Sequence, residues 1–134
     1  VVKMALDIFS EDYVEYSPEE KEVYANLDKT QLIRIVTNLV KNAIQAVEGI
    51  HNPKINVKVF LKNKKFIIEV SDNGKGISKE VEHLIFEPKF TTKTSGMGLG
   101  LPMIKNIIEA YEGSINFTSK EGEGTVFTVI LSNN

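Results

Sequence analysis

The most regular pattern in the chain runs from Lys29 to Glu48. Leu32, Ile35, Val36, Leu39, Val40, Ala43 and Val47 recur there at the i, i+3, i+4, i+7 spacing of one helical face. Asp28 is placed to cap this helix and Gly49 to stop it. Two alternating segments follow, Lys54–Leu61 and Lys65–Asp72, with Ile55, Val57, Val59 and Leu61 on one side of the first and Phe66, Ile68 and Val70 on one side of the second. Lys62-Asn63-Lys64 between them has the size of a hairpin connection, and Ile67 adds an apolar residue to the second strand's other face. Beyond a glycine-bearing turn the pattern predicts a short helix near Ser78–Phe86 and a polar stretch over Glu87–Gly96. It then predicts a helix over Leu99–Tyr111 with Pro102 in its first turn and Gly113 at its end. A last hairpin is expected from Ile115–Ser119 and Thr125–Leu131. Upstream, Val1–Phe9 reads as a short amphipathic helix or an opening strand, Tyr13–Tyr16 as a strand closed by Ser17-Pro18, and Val23–Asn26 as a short extended piece.

Helices mixed with antiparallel hairpins predict an α+β fold: a two-layer sandwich whose mixed, mostly antiparallel sheet is covered on one face by about three helices. With 134 residues the chain has the length of one domain, spanning residues 1–134. Met4 is the first methionine and falls inside a patterned segment, so the sequence reads as a piece of a longer protein.

Composition narrows the chemistry. The absence of cysteine excludes disulfides, thiolate zinc sites and thiol nucleophiles, and two histidines, His51 and His83, make no zinc site. A net charge of −2, with Arg34 the single arginine among 16 basic residues, argues against a nucleic-acid partner. It does not argue against a nucleotide, whose few charges are met locally.

Five of the nine glycines (Gly74, Gly76, Gly96, Gly98, Gly100) lie within residues 74–100. Gly96-Met97-Gly98-Leu99-Gly100-Leu101 leads into a helix, where free amides and the helix dipole favour an anion. It is neither a dinucleotide fingerprint, which would need Gly in place of Leu101, nor a Walker loop, since no Gly-Lys-Ser/Thr follows. On the long helix, Asn38 and Asn42 stack one turn apart at the border of the apolar face, although asparagine is a poor helix former. Either both bond to solvent or to a neighbouring loop, or a carboxamide oxygen serves as a hard ligand for Mg²⁺. Asp72-Asn73-Gly74-Lys75-Gly76 ends a strand. It is either a plain Asp-Asn-Gly turn or a placement of Asp72 to accept a hydrogen bond from the amino group of a base.

Taken in order, Asn38-Leu39-Val40-Lys41-Asn42-Ala43, Asp72-Asn73-Gly74-Lys75-Gly76, Phe86-Glu87-Pro88-Lys89-Phe90-Thr91-Thr92-Lys93, Gly96–Leu101 and Gly122-Glu123-Gly124-Thr125 resemble five boxes of one family. They are the N box, first glycine box, F box, second glycine box and final Gly-Thr element of the catalytic, ATP-binding domain of sensor histidine kinases. That domain shares its Bergerat-type fold with gyrase, a heat-shock chaperone and mismatch-repair ATPases. The resemblance covers roughly residues 23–131 and implies a set of roles. Asn42 would coordinate Mg²⁺ bridging the ATP phosphates, with Asn38 close by. Asp72 would bind the adenine amino group, Gly74 and Gly76 would let the chain pass the base, and Thr125 would support the adenine end. Gly96, Gly98, Gly100 and Leu101 would face the phosphates, residues 88–95 would form the ATP lid with Lys93 as a phosphate contact, and Phe86 and Phe90 would anchor it or belong to the core.

The hydrolysing relatives carry a water-activating Glu where this chain has Asn38, which favours the kinase branch. Lys89 departs from the aromatic or small residue common in the F box. Neither His51 nor His83 matches a phosphoacceptor pattern, so the catalytic acceptor would lie outside the chain, on a dimerising helical hairpin. The resemblance thus implies a cytoplasmic, monomeric fragment of a homodimeric kinase, with or without a membrane anchor in the parent, and a response-regulator receiver domain as a further partner. Rival expectations are a related ATPase or protein-serine kinase of the same fold, and a nucleotide-binding regulatory module without phosphotransfer.

Overall fold

The computed structural model describes residues 14–18, 29–87 and 100–132; side chains are described from residue 30 onward, without that of Ser132. Its elements are β1 (Val14–Pro18), α1 (Lys29–Ala46), β2 (Ile55–Lys62), β3 (Lys65–Asp72), a 3₁₀ turn (Glu82–Leu84), α2 (Gly100–Ala110), β4 (Ser114–Lys120) and β5 (Gly124–Ser132). The strands form one five-stranded sheet in the order β1-β2-β3-β5-β4. Only β1 runs parallel to its neighbour; the other pairings are antiparallel. Pro18 stands at the end of β1, which is an edge strand of the described sheet, a position where proline is tolerated.

The expected sheet is therefore present, mixed and mostly antiparallel. Among the described residues the helical layer holds two α-helices, and the segment Ser78–Phe86, read as a short helix, contains only the three-residue 3₁₀ turn at Glu82–Leu84. That turn starts at Val81, whose side chain caps nothing, and it contains no buried residue to hold a longer helix down. The proposed cap Asp28, the segments 1–9 and 23–26, and residues 88–99 lie outside the described residues.

Cross-strand register explains where the core sits. On one face of the sheet, Leu61, Phe66 and Leu131 form one row; Val59, Ile68, Val129 and Ile115 the next; and Val57, Val70, Phe127 and Phe117 a third. Ile35, Val36, Leu39, Val40 and Ala43 of α1, with Leu101, Ile104 and Ile108 of α2, belong to the same buried cluster as these rows. The periodic face read from the sequence is the face that is buried. On the opposite side of the sheet, Phe60, Ile67 and Ile130 sit in register on three adjacent strands, which leaves Ile67 only 9 % exposed.

The ends of both helices are set by backbone sterics. After Ala46 the chain continues through a turn to Gly49, whose φ of +79° belongs to the left-handed region. At the end of α2 the left-handed residue is Glu112 (φ 59°), not Gly113. Gly113 is required there for a different reason: a Cβ would collide with the Ile130 carbonyl oxygen and lie 2.9 Å from Leu131 Cδ2.

Candidate functional site

The three apolar rows of the covered face are followed by a fourth that turns polar beyond Ile55. Ile55, Asp72, Thr125 and Ser119 stand in register across β2, β3, β5 and β4. Thr125 is 5 % exposed and is the one polar residue fully buried among the described residues. A buried polar group at the end of an apolar core, such as the Thr125 hydroxyl, is costly unless it is paired. Here Ser119 Oγ lies 2.9 Å from Thr125 Oγ1, accepts from Ile77 N–H at 2.7 Å and contacts the Gly124 carbonyl oxygen at 3.2 Å.

Asp72 closes β3, and its Oδ1 accepts from the Gly74 amide at 2.8 Å, so the carboxylate is oriented by the turn that follows it. Asn73 fixes that turn from the other side. Its carboxamide oxygen accepts from Lys54 N–H at 2.7 Å, and its Nδ2 donates to the Asn52 carbonyl at 2.9 Å. Lys75 then donates its amide to the Ala46 carbonyl (3.1 Å), while its own carbonyl accepts from Gly122 N–H (2.8 Å). The turn is thereby held between the end of α1 and the β4–β5 connection.

These contacts give the two glycines a role within the fold. What passes close to Gly74 is the Ala46 peptide, whose carbonyl carbon would be 2.6 Å from an added Cβ. Gly76, at φ +75°, is pressed by the Lys120 carbonyl in the same way. Both glycines seat the turn against protein backbone.

Asn38, Asn42 and Ala46 follow one another at four-residue intervals along one edge of α1. Ala46 meets the Gly74 turn, and Asn38 meets the start of α2, where its Oδ1 would be 2.7 Å from a Cβ on Gly100. Asn38 Nδ2 donates to the Arg34 carbonyl at 2.8 Å. Asn42 lies midway, and its buried Nδ2 has no hydrogen-bond partner among the described residues. The edge from Asn38 to Ala46 covers about 12 Å at the helical rise of 1.5 Å per residue. It joins the carboxylate end of the site to the first described turn of α2, where the amides of Gly100 and Leu101 have no helical acceptor among the described residues. The Leu101 side chain is 8 % exposed and packs in the core, so its backbone is what it can offer a ligand.

Phe86 belongs to a packed aromatic column. Its ring stands 6.2 Å from that of Phe117, which lies 5.7 Å from Phe127, and Lys105 Nζ sits 5.3 Å above Phe86. Lys93, Gly96, Gly98, Lys89 and Phe90 lie outside the described residues. His51 and His83 are both exposed, as expected of surface residues. Sequence reasoning missed Ser119, and it treated Asn73 as only part of a turn; the signal for Ser119 was its place opposite Thr125 in the predicted hairpin.

Residues 27–134 match the family described as histidine kinase-, DNA gyrase B- and HSP90-like ATPase. The chain belongs to that family. Among curated proteins it is 37 % identical over 131 residues to the signal transduction histidine-protein kinase AtoS of Escherichia coli, covering 97 % of this chain and 20 % of AtoS. It is 42 % identical over 104 residues to the sensor histidine kinase ZraS of the same organism, covering 78 % of this chain and 22 % of ZraS. The chain thus spans about a fifth of the length of these relatives. The solved catalytic domain of histidine kinase ThkA, in a nucleotide-free form, superposes with a TM-score of 0.86 at 29 % identity, covering 98 % of this chain and 90 % of that one. This is a histidine-kinase-type ATPase domain, homologous to sensor histidine kinases.

Proposed function

We propose that this domain binds ATP along the edge joining Asp72 to the start of α2, and presents its γ-phosphoryl group to a histidine on a separate dimerisation hairpin of the same parent protein. The observation that carries the reading is the fourth row of the sheet. A carboxylate aimed by the Gly74 amide stands in register with a buried Thr125, at the end of a core that is otherwise apolar. Such an end accepts the edge of a planar base that bears an amino group. From there Asn42 and Asn38 lead to the helix-start amides of Gly100 and Leu101, which suit phosphate oxygens. Residues 88–99, with Lys93, Gly96 and Gly98, complete the phosphate side in this reading.

Among the described residues no group of three His, Cys, Asp or Glu could cage a metal. The Asn42 carboxamide, a hard oxygen donor on the edge of α1, would fit Mg²⁺, which keeps waters and shares substrate phosphates. Asn42 would hold Mg²⁺, which when bound would supply charge neutralisation at the phosphates. The domain's own share of phosphoryl transfer is positioning: Asp72 and Thr125 hold the base, Asn38 and Asn42 border the phosphate path, and the α2 amides receive negative charge. Asn38 carries a carboxamide already bonded to Arg34, so it provides no base to activate water. This favours transfer to an external imidazole over hydrolysis. The acceptor hairpin, a response-regulator receiver domain, a homodimeric parent and a cytoplasmic setting belong to the same proposal. Among the described residues no helix is long and apolar enough to cross a membrane.

The test mixes the domain with the dimerisation hairpin of its parent protein and γ-labelled ATP. Label should appear on the hairpin histidine and be lost with Asn42→Ala. ATP binding with no label on the hairpin would overturn the kinase reading, and steady phosphate release by the domain alone would favour an ATPase.

A further inference from the structure

Residues 54–68 hold five lysines and no acidic residue. Four of these lysines gather on one part of the fold. Lys58 and Lys62 stand on the outer face of β2, away from the side packed on the helices. Lys65 meets Lys62 in register on β3, and Lys64 lies in the turn between them. All four are exposed. The one ion pair among the described side chains is Lys120–Glu123, so even Lys58, in register with Glu69, forms none. Two features of this hairpin tip work against stability. Like charges directly opposite across a ladder repel, as Lys62 and Lys65 do. Lys64 has a φ of 63°, in the left-handed region where a two-residue hairpin turn favours glycine.

An apolar strip runs among these lysines. Phe60, Ile67 and Ile130 fill the outer-face row between Lys58–Glu69 and Lys62–Lys65, and Phe60 and Ile130 are partly exposed. The spacing and type of the cations decide what they suit. Lys58 and Lys62 are roughly 13 Å apart along β2, too far to converge on one phosphate. A carboxylate-rich protein partner is met best by the guanidinium fork, yet the single arginine, Arg34, lies on α1, whose apolar side packs on the other face of the sheet. Lysine imposes no such geometry. Its stem lies along apolar surface while the ammonium reaches a plane of diffuse negative charge. Screening confines that attraction to about 8 Å, so the local lysines govern it and the net charge of −2 does not.

We propose that the outer face of the β2–β3 hairpin docks on the surface of an anionic lipid bilayer. Lys58, Lys62, Lys64 and Lys65 meet the headgroup phosphates, and Phe60 enters the interface between them. An anionic plane relieves the repulsion at Lys62 and Lys65 and gives the cation at Lys64 a partner. The helices and the Asp72 row lie on the other side of the sheet, turned away from the lipid.

The experiment sediments the whole chain with vesicles of phosphatidylcholine, alone or mixed with an equal share of phosphatidylglycerol. Binding should require phosphatidylglycerol. It should be lost as salt shortens the screening length from roughly 10 Å at 0.1 M to roughly 3 Å at 1 M. Each lysine contributes about 5-fold to partitioning, so Lys58→Gln with Lys62→Gln should lower it about 25-fold. Lys41→Gln with Lys79→Gln removes the same charge from exposed positions on α1 and ahead of the 3₁₀ turn, and should change partitioning less than about 2-fold. Equal losses from the two pairs would reduce the attraction to net charge and overturn the proposal. The chain has no tryptophan, so Phe60→Trp supplies a single emitter on this face with every lysine kept. Its emission should move to the blue on phosphatidylglycerol vesicles, and binding without that shift would put another surface on the lipid and refute the assignment. Binding no stronger to the anionic vesicles than to the neutral ones overturns it outright.

Discussion

Substituting Gly74 by alanine separates a glycine that serves the fold from one that serves a ligand. A Cβ at this position would lie 2.6 Å from the Ala46 carbonyl carbon and 2.9 Å from Ala46 Cβ, and would collide with the Ala46 oxygen. None of these atoms can rotate away, because all belong to the backbone or are fixed directly to it. Relief therefore needs the turn to move by roughly 1 Å, the gap between these distances and ordinary contact near 3.5–4.0 Å. That shift strains two hydrogen bonds, Lys75 N–H to the Ala46 carbonyl at 3.1 Å and Gly74 N–H to Asp72 Oδ1 at 2.8 Å. Their loss costs ~1 kcal/mol for the neutral bond and ~1.5–3 kcal/mol for the charged one. Replacing glycine returns ~0.4–1 kcal/mol by restricting the unfolded chain. The balance is a destabilisation of about 2–3 kcal/mol, which for a domain of this size lowers Tm by roughly 6–15 °C. The assay is thermal unfolding of the nucleotide-free chain followed by far-ultraviolet circular dichroism. A Tm within about 2 °C of wild type, with nucleotide affinity nonetheless lost, would refute the reasoning and return Gly74 to the ligand.

Gly100→Ala should behave in the opposite way. The obstruction there is the Asn38 side chain, and alanine gains up to ~1 kcal/mol of helix propensity, so the urea midpoint should scarcely move. Displacing the Asn38 carboxamide should weaken ATP binding about 3–10-fold, and a lowered midpoint with intact affinity would contradict this. Thr37 Oγ1 is buried on α1 with no partner among the described residues, so Thr37→Val should raise stability by ~1 kcal/mol in urea unfolding. A loss of that size would show that the hydroxyl is paired.

Much of the fold was legible because periodicity and burial coincide. Leu32 to Val47 predicted a buried helix face, and β3 was bounded at Lys65 and Asp72, as observed. The short helix at Ser78–Phe86 was overread, since a few apolar residues resemble a helical face whether or not any neighbour receives them. The candidate site divides along similar lines. Asp72, Asn38 and Thr125 were visible as polar residues at marked positions, but the job of Gly74 depends on Ala46, 28 positions earlier, and local sequence does not encode such an approach. Ser119 was hidden for a related reason. A serine in a strand is unremarkable until register places it beside a buried threonine.

Lys75 gives its amide to the end of α1 and its carbonyl to the β4–β5 connection, joining Ala46, Lys75 and Gly122 across most of the chain's length. No subset of neighbouring residues can assemble this joint, so the proposed base site needs α1, β3 and the β4–β5 hairpin in place together. Nucleotide binding therefore reports on completed folding, and its free energy, RT ln(1 + [L]/Kd), stabilises the entire cooperative unit rather than one loop. The Lys75 and Gly122 amides should accordingly exchange with solvent at rates set by global opening, slowed further as nucleotide is added.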